Sequence, residues 1–210
     1  MPSYYPVYLN LRNRRCIVVG GGTEAERKAQ GLLDCGAKVI VVSPEVTPVI
    51  NDLAARKLID WEPRVYRNGD LEGAFMAISD NVDSRIYQEV AVEAEQRGIL
   101  LNVTDVTALC NFIAPTVVRR GEVTFAISTD GLSPALASRL REELETNPIL
   151  QWADMAEMIS DVRLELLNKG VYPDPERWQK CMDQEMLRLF HSGSQTLARS
   201  RLLQMLQEQS

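Results

Sequence analysis

The sequence predicts an α/β protein: a parallel sheet covered by helices on both faces, then a mixed segment, then a small helical domain. Three observations predict it. Short apolar runs alternate with stretches of helical periodicity through the first half of the chain. The first of these runs ends in three consecutive glycines that lead straight into a helical stretch. After about Asn111 the alternation stops, and from Pro148 onward only helical patterns remain.

The elements follow in order. Cys16 to Val19 is an apolar run ending at Gly20, Gly21 and Gly22, and a helix is predicted from Thr23 to about Cys35. Ala25, Ala29, Leu32 and Leu33 lie near helical spacing there, and Gly36 provides a stop. KVIVV (38–42) is β-branched and apolar on both faces, as a strand covered by helices on each side must be. A helix around 46–56, a strand at 58–62, a turn at Arg67–Asp70, a strand at 75–79, a helix at 83–97 stopped by Gly98, and a strand at 99–103 complete the rhythm of a doubly wound sheet. Two strands are expected around Arg120–Gly121, the second at 121–129. Ser133–Pro134 opens a helix reaching Glu145, with proline in the first turn, where a missing N–H costs nothing. Helices are then expected at 149–169, 174–191 and 195–208, punctuated by Gly170, Pro173 and Ser192–Gly193. The domain division read from this is 1–113, 114–147 and 148–210.

Composition excludes several classes. With 210 residues, 45% hydrophobic and 25% charged, the chain buries a core without staples and is neither disordered nor fibrous. A net charge of −6 and a pI near 5.0 argue against a nucleic-acid partner. Four cysteines without a CxxC or a cluster point to reduced thiols. No run approaches the roughly 20 apolar residues that span a bilayer, and the first residues lack a signal-peptide pattern. The expectation is a soluble, cytoplasmic protein with no membrane partner.

Gly20-Gly21-Gly22-Thr23-Glu24-Ala25 is a G-x-G-x-x-A motif set between a strand and a helix, which marks the first domain as Rossmann-like. In that motif Gly20 permits the turn out of the strand, Gly22 lets backbone approach a pyrophosphate, and Ala25 lets the helix pack closely on the sheet. The anion sits on the helix N-terminus opened by Thr23 and Glu24. The acidic partner for the ribose is expected about 20 residues on, at the tip of the second strand. Ser43-Pro44-Glu45 stands there, so either Ser43 or Glu45 meets the ribose hydroxyls. No arginine beside them awaits a 2′-phosphate, which favours NAD over NADP.

Further segments carry a family resemblance: Tyr5-Pro6-Val7-Tyr8-Leu9-Asn10-Leu11, the glycine loop with Ala25-Glu26-Arg27-Lys28, Asn102-Val103-Thr104-Asp105, Cys110-Asn111-Phe112-Ile113-Ala114-Pro115, and Ser128 through Ala137 running into Arg139 to Glu145. Together they resemble the precorrin-2 dehydrogenase / sirohydrochlorin ferrochelatase family, the NAD-dependent module of sirohaem synthases, over roughly residues 4–145. With no glycine-rich methyltransferase segment following, the resemblance is to the stand-alone form. It implies NAD-dependent oxidation of precorrin-2 to sirohydrochlorin in sirohaem or cobalamin synthesis. It also implies a homodimer joined through 114–147, with the macrocycle between the NAD domain and the rest, and Fe2+ or Co2+ as a further substrate if the chain also chelates.

By motif position Asp105 matches the family's catalytic aspartate, acting as general base; from the residue alone, a turn-capping Asp is the alternative. An unperturbed Asp, with a pKa of about 3.9, is a weak base until burial raises it. Asn111 and the hydroxyls of Ser128 and Thr129 fall where the resemblance expects the tetrapyrrole. Arg119, Arg120, Arg139 and Arg141 are candidate clamps for its carboxylates. Asp130 stands where other members often have glycine, and either aids proton transfer or repels the substrate.

His191 has no second histidine for a metal set, Cys110 reads as a small buried thiol, and neither a nucleophile elbow nor a P-loop lysine pattern occurs, so no resident metal site is expected. Leu197, Leu202, Leu203 and Leu206 form a packing or dimer face on the last helix. The rival function is a non-catalytic NAD-sensing module signalling through its helical tail.

Overall fold

The computed structural model describes residues 4–80 and 83–207, and the expected helix at 195–208 therefore ends outside the described residues by one position. The chain divides into two compact units, Met1–Ala114 and Pro115–Ser210.

The first unit is built on strands β1 (Arg15–Val19), β2 (Lys38–Val42), β3 (Asp60–Glu62), β4 (Met76–Ser79) and β5 (Leu100–Val103). They form one sheet in the order β3-β2-β1-β4-β5, parallel throughout. The chain leaves β1 toward β2 on one side and reaches β4 on the other. The order therefore reverses between β1 and β4, the place where open α/β sheets bind ligands beyond their strand ends.

Period-2 alternation assigns the two faces. Val18, Val39, Val41 and Ile78 point to α1 (Thr23–Asp34) and α2 (Pro48–Ala55), meeting Ala25, Ala29, Ile50 and Leu53. Ile17, Val19, Ile40, Val42, Ala77, Leu101 and Val103 point to the other face, covered by Val90 and Ala94 of α3 (Ser84–Arg97) and by Tyr66 and Leu71. Thr47 caps α2 with Pro48 at its first position, and Gly98, at φ +66, ends α3 in the left-handed region open to glycine.

One charge lies inside this second core. Glu93 of α3 is 1% exposed and accepts from Tyr66 Oη, from Gly69 N at 2.8 Å and from Arg97 Nε at 2.7 Å. Burial and the Glu93 carboxylate both push the Tyr66 phenol upward and hold it protonated. The network fastens the turn before β4 to α3.

The second unit begins with the antiparallel hairpin β6 (Thr116–Arg120) and β7 (Val123–Ile127), turning through Gly121 at φ +55. α4 (Pro134–Glu145) follows, with Ser133 as its N-cap. The expected helix at 149–169 is in two parts: a 3-10 stretch at Pro148–Met155, then α5 (Ala156–Asn168). Three residues per turn bring Leu150 and Ala153 onto one line, and both are buried.

The expected helix at 174–191 is also divided, into α6 (Pro175–Cys181) and α7 (Gln184–His191). Asp183 makes the break. Its Oδ1 accepts from Met186 N at 2.7 Å as the N-cap of α7, and Arg201 of α8 (Gln195–Gln207) donates to both of its oxygens, at 3.1 and 2.7 Å. Met155, Val162, Leu166, Met186, Leu202 and Leu206 fill the helical core. No helix among the described residues is long and apolar enough to cross a membrane.

Glu93→Ala leaves buried donors without an acceptor and should lower stability by about 3 kcal/mol; an unmoved denaturant midpoint would refute the network's role. The guanidinium of Arg201 holds the Asp183 carboxyl below its ordinary range, so the folded chain binds that proton less readily than the unfolded chain. Its stabilisation is present above about pH 4 and lost as the pH falls further. Asp183→Asn should therefore flatten the acid limb of stability measured against pH.

Candidate functional site

The site is built where β1, β2 and β4 end side by side. Gly20 leaves β1 at φ +134, and a Cβ there would lie 2.7 Å from the carbonyl oxygen of Asp80, the residue after β4. Gly21 is tighter still: its Cβ would stand 2.0 Å from Glu45 O and 2.7 Å from Ser43 Oγ. The loop after β2 thus clasps the glycine loop, an arrangement completed by Gly20 N to Val42 O at 3.1 Å and Thr47 N to Gly21 O at 3.0 Å. Gly22 differs from both. It is the extended N-cap of α1, and around its Cβ position the nearest atom is Asp80 Oδ2 at 3.8 Å.

This cradle fits a pyrophosphate. Among the described residues the N–H groups of Thr23 and Glu24 have no acceptor, and both open the positive end of a twelve-residue helix. Gly22 leaves the approach clear, and Ala25 is fully buried against the sheet. Ser43 is buried, donates its hydroxyl to Glu45 O at 2.6 Å and receives Trp61 Nε1 on its carbonyl at 2.9 Å; Pro44 and Glu45 are exposed beside it. Of the two ribose candidates, Glu45 therefore has the free side chain.

Asp105 follows β5 at the same edge of the sheet. Its side chain is exposed and its backbone takes φ +60, a left-handed value that Asp tolerates better than most residues. The loop that carries it is fastened from several directions. Thr104 N donates to Ser79 O at 2.9 Å, while Cys110 Sγ accepts from Val103 N at 3.1 Å and donates to Val103 O at 3.3 Å. Burial raises the Cys110 thiol, which keeps it a neutral packing group. Asn102 Nδ2 reaches Phe112 O at 3.2 Å. The amide of Asn111 is engaged on the β5 edge: Oδ1 accepts from Leu101 N at 2.7 Å and Nδ2 donates to Ile99 O at 2.9 Å. Asn111 thereby shapes the loop behind Asp105.

In the second unit, Arg119 and Arg120 lie on β6 and Arg139 and Arg141 on α4. Arg120 forks onto Asp154 at 2.6 and 2.7 Å, Arg139 meets Glu143, and Arg141 meets Glu145 at 2.5 Å. Ser128 Oγ accepts from Asp130 N at 3.0 Å, and Thr129 Oγ1 brackets Ser133, accepting its N–H at 3.2 Å and donating to its carbonyl at 3.1 Å. These hydroxyls shape the turn before α4, where Asp130 and Gly131 have φ of +52 and +79. His191 lies against Gln151 O and Asp154.

Two features of the site escaped the sequence reading. Gly21, to which the motif gives no role of its own, is the most crowded of the three glycines. Asp80 went unremarked, although its place after an apolar strand run was visible.

The family model for NAD(P)-binding matches residues 7–116, and the model for the sirohaem biosynthesis protein central region matches 120–147. The chain belongs to this NAD(P)-binding family. Siroheme synthase of Thioalkalivibrio sulfidiphilus is 33% identical over 95% of this chain and 41% of its own length. That of Methylococcus capsulatus is 36% identical over 86% of this chain and 39% of its own. The chain thus spans about two-fifths of the curated relatives it matches. Among solved structures, "SirC, precorrin-2 dehydrogenase" is 27% identical with a TM-score of 0.74, covering 97% of this chain and 98% of that one. The glycine loop, α1 and Asp105 all fall inside the NAD(P)-binding match.

Gly21→Ala forces backbone apart and should cost roughly 1–3 kcal/mol. Gly22→Asp should leave the melting temperature within a few degrees, because Asp is a favoured N-cap, yet abolish dinucleotide binding by charge. Thermal melts beside calorimetric titrations separate the two effects; unimpaired binding by the Gly22 variant would refute the cradle.

Proposed function

We propose that this protein oxidises precorrin-2 to sirohydrochlorin with NAD+ as acceptor. The observation that carries the reading is the likeness to a precorrin-2 dehydrogenase across nearly the whole of both chains, with Asp105 on a braced loop at the ligand edge of the sheet. The strand tip supports NAD over NADP in this reading: Glu45 offers a carboxylate to the ribose, and no arginine stands at 43–45 to meet a 2′-phosphate.

Bound NAD+ supplies the acceptor for the hydride. Asp105 takes the proton that the substrate loses at the neighbouring atom. A macrocycle covering the loop excludes water from it, and desolvation strengthens a carboxylate as a base. Arg119, Arg120, Arg139 and Arg141 bind substrate carboxylates in this reading. The ion pairs of Arg120, Arg139 and Arg141 are exposed and screened by solvent, so a substrate carboxylate exchanges with the protein's own at little cost. A homodimer joined through 114–147 and insertion of ferrous iron or cobalt, as a substrate, into the product complete the proposal.

Incubation with enzymatically prepared precorrin-2 and NAD+, without metal, should give NADH and sirohydrochlorin in equal amounts. Binding of NAD+ without oxidation of verified substrate would refute the dehydrogenase. Asp105→Ala should keep NAD+ affinity and lower turnover about 100-fold or more; turnover near that of the unmodified protein would remove Asp105 from the reaction.

A further inference from the structure

Asp80 has no part in the reaction proposed above, yet it touches both the glycine loop and the first turn of α1. Its backbone N donates to Val19 O at 2.8 Å, and its carbonyl fills the space a Gly20 side chain would need. Its Oδ2 accepts from Ala25 N at 3.1 Å, across 55 residues of sequence. That N–H belongs to the first turn of α1, directly after the free N–H groups of Thr23 and Glu24. One of the donors a helix N-terminus offers an anion is therefore already held by a carboxylate of the protein.

Charges face Asp80 from two elements. Glu24, Arg27 and Lys28 lie on α1, and Asp105 lies on the loop after β5. Burial raises the Asp80 carboxyl above its ordinary range, against the Thr104 hydroxyl and the Ala25 N–H, with the charges of Glu24 and Asp105 adding to the rise. Lys28 is largely enclosed, its side chain 14% exposed, with Glu24 at 3.5 Å.

We propose that Asp80 is a positioning and affinity-setting residue of the dinucleotide site: its carboxylate fixes the N-terminus of α1 against the end of β4, and its negative charge beside the pyrophosphate seat weakens dinucleotide binding. The inference rests on the cofactor reading above. A pyrophosphate at Thr23 and Glu24 approaches a carboxylate on the same turn of helix, and the repulsion offsets part of what the helix end contributes. A dehydrogenase must release its reduced cofactor in every cycle, and a fixed opposing charge speeds that release while the N–H groups of Thr23 and Glu24 stay open.

The test is the affinity of the full chain for NAD+, measured by calorimetry for the unmodified protein, Asp80→Asn and Asp80→Ala. Asn keeps an oxygen for the Ala25 N–H and loses the charge. Asp80→Asn should bind NAD+ roughly 2- to 5-fold more tightly at low ionic strength, with the gap closing in high salt. The unmodified protein should gain affinity as the pH falls and Asp80 takes up its proton. Every other ionisable group is common to the two proteins, so the difference between their pH profiles isolates Asp80. In Asp80→Ala the helix loses its acceptor as well, and kcat should fall further than in Asp80→Asn. Equal or weaker NAD+ binding by a folded Asp80→Asn at low salt overturns this inference alone. Failure of the unmodified protein to bind NAD+ overturns the cofactor reading and this inference with it.

Discussion

Backbone crowding where β1, β2 and β4 end is the constraint on which the rest of the first unit depends. Two strand ends and the loop after a third meet without room for a side chain: the Asp80 carbonyl against Gly20 and the Glu45 carbonyl against Gly21. Only residues lacking a Cβ allow this approach, and only Gly20 at φ +134 turns the chain sharply enough to start α1 over the sheet. The same crowding exposes the helix N-terminus at the edge of the sheet with its first donors open. The anion seat is thus a by-product of how closely three backbone segments pack, and the side chains nearby modulate it.

Asp105 is held by a different kind of bond. Its own side chain is exposed, and its position comes from neighbours whose polar atoms turn inward. Cys110 grips Val103, Asn111 occupies the β5 edge as a further strand would, and Asn102 ties the loop to Phe112. Each such bond contributes about 1 kcal/mol. Together they hold a left-handed Asp at the edge of the sheet, the placement that its proposed role as a base requires, because a base must sit within reach of its proton before its strength matters.

The helical unit obeys a capping logic. Asn147, Asp174 and Asp183 each accept a backbone N–H at the start of a helical segment, two of them with proline next in sequence. At Asp183 the cap is reinforced by Arg201, so a stretch that is periodic throughout is nonetheless cut in two. Propensity alone extends a helix through 182–183; the cap and the ion pair from α8 together outweigh the one or two intrahelical bonds lost there.

The sequence alone determined the order and type of nearly every element, the two-faced apolar strands of a covered parallel sheet, the glycine loop and the family to which its motifs belong. These are local properties, written in spacings of two to four residues and in short strings of small side chains. Tertiary structure decided the rest: that Gly21 is the most crowded glycine, that Asp80 reaches Ala25, that Asn111 and Cys110 serve the loop of Asp105, and that Glu93 is a buried acceptor instead of a solvated charge. Each of these depends on which strands lie side by side or which helix covers which face. A sequence records that Asp80 ends a strand; only the strand order, which sets β4 beside β1, brings it to the mouth of the glycine loop.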